Sequence, residues 1–261
     1  MRVLNGLLLA LLTTVLASAC ASMDAANKQR QSSSVLSYLY AGAQPAPPPD
    51  IEPVAEIHVP IRLGIAFVPD ANSSLSGLSE HDRLRLAQKV RVAFVHYPFV
   101  AGIQTVPSEY LVNGGGFANL DRIASMLQLD QIALVSYDQV QHADATGWSF
   151  LYWTGIGAYA IDGDQYDILT VVDTAVIDIR SRRLLLRADG MSKNRGTSSW
   201  VNFSRDAREA RSRGFEEAFN GMIGRLQTEL AAFRKRAPMD PSVRLVLPPD
   251  YRPEAEQAAA R

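Results

Sequence analysis

Few side chains in this sequence stand where chemistry would need them. The four histidines, His58, His81, His96 and His142, are scattered. None forms an i,i+4 pair and none stands beside a cysteine, so the ligand spacing of a zinc site is missing. They read as surface or capping residues. Asp162, Asp164 and Asp167 crowd one expected turn, but the calcium-loop pattern is absent and solvated turn carboxylates account for them. Asp173 and Asp178 lie five apart on an expected strand, hence on opposite faces, and form no acid–base pair. The run Asn113-Gly114-Gly115-Gly116 precedes a helix, where free backbone N–H groups cradle phosphates in other proteins. It lacks the lysine and hydroxyl residue of a P-loop, and a turn that needs φ > 0 explains it better. No Gly-x-Ser-x-Gly elbow or supported Ser-x-x-Lys pair supplies a serine nucleophile. The expectation is a protein that is not an enzyme, with no catalytic residue, no metal and no cofactor. One thiol remains, Cys20, the sole cysteine, which cannot form an intramolecular disulfide.

The setting of Cys20 gives it a role. Residues 1–19 have the layout of a secretory signal: a basic head at Arg2, an apolar run from Val3 to Leu16 broken by Asn5, Gly6, Thr13 and Thr14, then small residues. That run falls short of the roughly 20 apolar residues that span a bilayer. Ala17-Ser18-Ala19-Cys20 resembles the lipobox of bacterial lipoproteins, with Ala17 where Leu, Val or Ile is commoner. The resemblance implies cleavage by signal peptidase II between Ala19 and Cys20, and acyl chains such as palmitate on Cys20. One chain, at about 0.8 kcal/mol per buried methylene, holds a protein marginally; several hold it firmly. Ala21, rather than Asp, implies by the same resemblance an outer-membrane lipoprotein facing the periplasm of the cell envelope.

Charge and composition narrow the partners. The formal net charge is −1, and Arg2 is the one charged residue of the signal, so processing makes the chain one unit more negative. Nothing there draws nucleic acid, which needs a clustered basic surface. A hydrophobic share of 47% against 20% charged residues suits one folded domain with unstructured flanks. The expected organisation is a signal peptide over 1–19, a lipid-anchored stalk over 20–60 rich in proline (Pro45, Pro47, Pro48, Pro49, Pro53, Pro60), a periplasmic α/β domain over 61–236, and a disordered tail over 237–261 containing Pro238, Pro241, Pro248, Pro249 and Pro253. Within the stalk, Lys28–Tyr40 is polar and then apolar, too short for a domain but suited to docking.

Periodicity orders the domain. Ile61–Val68 alternates and then runs apolar, as a buried strand does, ending at Pro69. Ser79 with Asp82 three residues on resembles a capping box, and Leu84, Ala87, Val90 and Phe94 follow at helical spacing. Ile103–Leu111 reads as an edge strand weakened by Pro107. Asn119 is expected to cap a helix striped by Leu120, Ile123, Ala124 and Leu127. Gln131–Val140 reads as a central strand. Trp148–Ile161, Ile168–Ile179 and Leu184–Met191 then read as antiparallel strands turned at Asp162-Gly163-Asp164 and Arg180-Ser181-Arg182. From about Ser204 a long amphipathic helix sets Phe215, Ala218, Phe219, Met222, Ile223, Leu226, Leu230 and Phe233 on one face. The expected class is α/β (α+β), a mixed sheet that opens strand-helix-strand-helix-strand.

This order resembles the periplasmic domains of the curli-export lipoprotein and the amino-terminal part of TolB, through Phe67-Val68-Pro69, Leu129–Val135 and the hairpin with Asp178 before its turn. A closer likeness is to the rhombotarget lipoprotein family. It rests on Ser32-Ser33-Ser34-Val35 with Tyr38-Leu39-Tyr40, on Gly114-Gly115-Gly116-Phe117 with Asn119-Leu120-Asp121, on Ala133–Gln141 and on Leu151-Tyr152-Trp153-Thr154. The carboxyl end has no Gly-Gly-plus-apolar-helix sorting signal. With no catalytic constellation and a lipidated stalk, the expected function is that of a lipid-anchored envelope protein with a non-enzymatic binding or assembly role. The alternative is a hydrolase or small-ligand-binding lipoprotein whose site is assembled from distant residues. A deep polar pocket favours the second; a sheet edge or aromatic hairpin favours the first. The segment from Trp148 to Ile161 is apolar on both alternate faces, which suits a strand covered on both sides; if part of it is exposed instead, Trp148, Phe150, Tyr152, Trp153 and Tyr159 are the candidate contacts with membrane, an envelope protein partner or a second copy.

Overall fold

Alternating and apolar runs decide the strands here, and amphipathic runs decide the helices, two of which open on a serine cap, Ser34 and Ser79. The computed structural model describes residues 28–40, 54–70, 78–145, 164–198 and 203–249. Cys20 with the residues that resemble a lipobox, and the aromatic segment from Trp148 to Tyr159, lie outside the described residues. In chain order the elements are Lys28–Ser32 (β1), Val35–Leu39 (α1), Ala55–His58 (β2), Ile61–Phe67 (β3), Glu80–Phe94 (α2), Val100–Val106 (β4), Gly116–Leu127 (α3), Gln131–Ala145 (β5), Asp164–Asp178 (β6), Arg183–Ser198 (β7), Phe203–Arg236 (α4) and Val243–Val246 (β8). The fold class is the expected mixed α/β one.

Ser79 caps α2 as its spacing predicts. Its hydroxyl accepts from the Asp82 N–H at 3.2 Å and donates to the Asp82 carboxylate. That bond, more than the opposing burial, holds the Asp82 carboxyl below the usual range. Proline ends β4 at Val106, and a short 3₁₀ turn over Ser108–Tyr110 replaces the expected continuation. Asn119 does not cap α3. The helix starts after Gly115, and Asn119 sits a turn inside it, where its buried amide serves the chain on either side.

The main sheet runs β4-β3-β5-β6-β7, with β1 also pairing β5. β3 is parallel to both neighbours, with Leu63 opposite Ile103 and Ile65 opposite Ala133. The antiparallel expectation, made for the strands after β5, holds in part: β6 and β7 pair as expected, and Trp148–Ile161 lies outside the described residues. Ile179, past the end of β6, donates to Asp130, before the start of β5, so those two run oppositely. The turn over residues 179–182 makes β6 and β7 a hairpin. There Asp178 accepts from the Ser181 N–H at 2.8 Å, and Arg182 takes a left-handed φ of 56°.

The chain divides into two compact units. The larger comprises Gln31–Asp138, Thr170–Ser192 and Arg213–Arg261. Its sheet is covered on both faces, which makes three layers. On one face Ile65, Phe67, Ala133, Val135 and Val176 meet Leu86 and Val90 of α2 and Phe215, Phe219 and Met222 of α4. On the other, Ala66, Ile132, Leu134 and Ile177 meet Leu120 and Ile123 of α3 and Val35 and Tyr38 of α1. The smaller unit comprises Met1–Arg30, Gln139–Leu169 and Lys193–Ser212. Within it, Ile168 packs on Ala210, and Asp167 pairs with Arg195 at 3.1 Å and Lys193 at 3.5 Å.

Two short strands lie within the expected flanks. β2 lies inside the expected stalk and β8 inside the expected tail, yet they pair in parallel, with Ile57 opposite Leu245. Ala55 and Ile57 are buried with Leu185, and Glu56 binds Arg244 across 188 residues at 2.9 Å. Proline punctuates these stretches but leaves four residues free on each, enough for a short ladder.

Candidate functional site

In open sheets with parallel strands, ligands favour the crevice at the carboxyl ends where the strand order reverses. Here the chain passes from β3 outward to β4 and returns to β5 on the other side of β3, so the reversal lies between β3 and β5. Residues from the amino-terminal segment fill that position. The Ser33 N–H donates to the Tyr137 carbonyl at 2.8 Å, and the Tyr137 N–H donates to the Ser33 hydroxyl at 3.0 Å. Ser33 also forms an antiparallel bridge with Asp70, just past β3. Ser34 then caps α1, which buries Val35 and Tyr38. The segment expected to dock therefore docks on its own domain.

Two groups of residues read separately in the sequence meet at α1. The Tyr38 hydroxyl donates to Asn119 Oδ1 at 2.8 Å, the Val112 N–H donates to the same oxygen at 2.9 Å, and Asn119 Nδ2 donates to the Tyr110 carbonyl at 3.1 Å. Burial pushes the Tyr38 hydroxyl above its ordinary value. Gly116 has φ of 56°, and a Cβ there would lie 2.9 Å from the Leu39 carbonyl oxygen, so glycine is required by conformation and by contact. Tyr40 meets Phe117 edge to face at 6.0 Å, and Arg182 lies over the Phe117 ring. The glycine run is thus a packed turn against α1.

Beyond β3, Asp70 accepts from the Tyr137 hydroxyl at 2.7 Å and from Arg83 at 2.9 Å. Arg83 in turn donates to the Leu78 carbonyl. Burial, then the hydrogen bond and charge of Asp70, push the Tyr137 hydroxyl up to about 12. At neutral pH this group is a hydrogen-bond donor and no base. Because the folded value lies above the unfolded one near 10, its contribution is complete below about pH 10 and is lost as pH rises through about 12. Stability should fall across that window by roughly 1 kcal/mol per pH unit from this group. Tyr137→Phe should flatten the fall in urea melts taken between about pH 9 and 12; an unchanged slope would remove Tyr137 from the transition.

Two recesses are the other candidates. The polar one, about 320 Å³, lies at the amino ends of β3 and β5 and includes Glu56, Arg62, Asp121, Asp130 and Asp178. Glu56, Arg62, Asp121, Asp130 and Asp178 each have a partner, within the recess or beside it. The Arg62 N–H donates to Asp130 at 2.8 Å and its guanidinium spans Asp130 and Gln128, while Asp121 faces Arg182. Among the described residues no three His, Cys, Asp or Glu side chains cluster as a metal site would require. The second recess, about 460 Å³, is apolar and lies between α2, α4, the sheet and β8. Neither a motif nor a spacing in the sequence signals it, because its walls come from many separate elements.

Of the residues expected to form a site, Cys20, Ala19, Trp148, Phe150, Tyr152, Trp153 and Tyr159 all lie outside the described residues. His58, His81 and His96 are exposed. The described chain is a layered α/β protein. No protein-family model matches the sequence, and no curated protein does. Two solved structures are similar in part. A point variant of the PelC dodecamer from Paraburkholderia phytofirmans is 11% identical, covers 56% of this chain and 81% of its own, and gives a TM-score of 0.28. The PelC dodecamer from the same organism is 11% identical, covers 73% and 96%, and gives 0.26. Likeness at this level assigns no role.

Proposed function

We propose that this chain is a lipid-anchored protein of the bacterial envelope, held at the outer membrane through Cys20 and facing the periplasm, with a non-enzymatic binding or assembly role. The observation that carries the reading is the length of three neighbouring strands. β5, β6 and β7 run 15, 15 and 16 residues, against a usual strand of about 5–6. β5 ends at Ala145 and β6 begins at Asp164, so the connection between them is the stretch that holds Trp148, Phe150, Tyr152, Trp153 and Tyr159. Trp and Tyr suit headgroups or a protein partner because each joins an apolar body to a polar tip. The meeting of Tyr38-Leu39-Tyr40 with Gly116, Phe117 and Asn119 supports the rhombotarget resemblance, whose motifs include both groups.

One experiment tests both ends of the reading. Cys20→Ala should abolish palmitate incorporation in cells, and labelling at wild-type levels would remove the anchor. In that unlipidated chain, Trp153→Ser should weaken flotation with liposomes or self-association while leaving the melting temperature unchanged. A large fall in melting temperature would instead put Trp153 in the core.

A further inference from the structure

Protein interiors pack with few voids larger than a water molecule, which makes the apolar recess of the larger unit conspicuous. It holds about 460 Å³, within the range of ligand sites and about three times the ~150 Å³ that admits one benzene ring. That is room for an alkyl chain on the order of ten to eighteen carbons. Leu63 and Val176 of the sheet, Phe94 of α2 and Leu230 of α4 line it. Leu245 and Leu247 close one side while themselves 37% and 49% exposed, an arrangement that a buried ligand would improve.

The polar residues of the lining are few. Gln131 lies on the sheet, and Arg234 and Lys235 come from the last turn of α4. Among the described residues no acidic one lines the recess. The Arg234 guanidinium sits 5.6 Å from the ring centroid of Phe99, another lining residue, which keeps one cation against the wall. Lys235 is exposed and makes no ion pair among the described residues. An apolar chamber with the exposed cation of Lys235 at its edge and no acid among its described lining residues is complementary to an apolar chain that ends in an anion. We infer that this recess binds a single-chain anionic amphiphile of the fatty-acid class, with the chain against Leu63, Phe94, Val176 and Leu230 and the carboxylate at Lys235. The inference stands apart from attachment at Cys20 and from the aromatic segment.

Calorimetric titration of the full Cys20→Ala chain, kept free of detergent, tests it with dodecanoate and with dodecyltrimethylammonium as probes. Dodecanoate should bind once per chain and at least tenfold tighter than the cationic probe. Lys235→Glu should weaken dodecanoate about tenfold and narrow or reverse that preference. Ala231→Trp, at an exposed position of the wall, should block both probes. A diazirine-bearing dodecanoate should label peptides containing Leu226–Lys235 or Leu245–Leu247, a readout that holds even where Ala231→Trp disturbs folding. Absence of binding, equal affinity for the two probes, or labelling confined to other peptides would each overturn the inference. The first of these is what an unliganded recess, or one occupied by the chain's own residues beyond Leu247, would give.

Discussion

Replacing Phe219 with alanine should cost the domain about 3–5 kcal/mol, the range for truncating a buried aromatic ring. The ring is fully buried and stacks on Phe67 of β3 at 5.7 Å and 28°, so its loss strips contacts from the sheet as well as from the helix. Phe215, Ala218 and Met222 of the same helix are buried alongside it, and they are held by their own strand contacts. Little can therefore collapse into the space, which puts the cost toward the upper part of the range. Urea melts of the full Cys20→Ala chain with and without Phe219→Ala measure the difference, and thermal melts should show a drop of roughly 10 °C. Phe233→Ala is the internal comparison, because Phe233 is only partly buried and should cost clearly less. Equal losses at the two positions would mean that α4 is not anchored at Phe219.

The stripe that leads to this prediction was legible because helical periodicity is a local signal. Phe215, Ala218, Phe219, Met222 and Leu226 are all buried, and Ile223, Leu230 and Phe233 are partly so. The same holds for the cap at Ser79 and for Ile132–Val135, whose unbroken apolar run reflects helices on both faces. What sequence reading missed was set by contacts between distant segments. β2 and β8 are four residues each, lie in stretches crowded with proline, and gain their apolar cover only by pairing with one another and packing on Leu185. Asn119 has a capping residue's chemistry but spends it inward, because Tyr38 arrives from 81 residues away. The apolar recess was out of reach for the same reason, since each of its walls reads as ordinary core.

Gly190 is the position where one added methyl group should do the most harm. It lies on β7 facing α4, and a Cβ there would come within 1.9 Å of the Ala218 carbonyl oxygen and 2.6 Å of the Met222 nitrogen. Both are backbone atoms of a helix, so no rotamer change can make room; α4 must lift from the sheet or β7 must bend. Gly221, whose own Cβ would lie 3.9 Å from the Gly190 Cα, lets the two backbones come this close. Overpacking typically costs about 1–3 kcal/mol, and Gly190→Ala should reach or pass the top of that range because the obstruction is backbone. Gly64 differs: its nearest obstacle, at 2.6 Å, is the end of the Leu129 side chain, which can turn away. Gly102 on the edge strand β4 has nothing within 4 Å, and Gly102→Ala should be neutral or stabilise by roughly 0.4–1 kcal/mol through the unfolded chain. Urea melts of the three alanine variants should therefore rank Gly190 far below Gly64 and Gly64 below Gly102. If Gly190→Ala melts with the Gly102 variant, α4 does not approach β7 at this point.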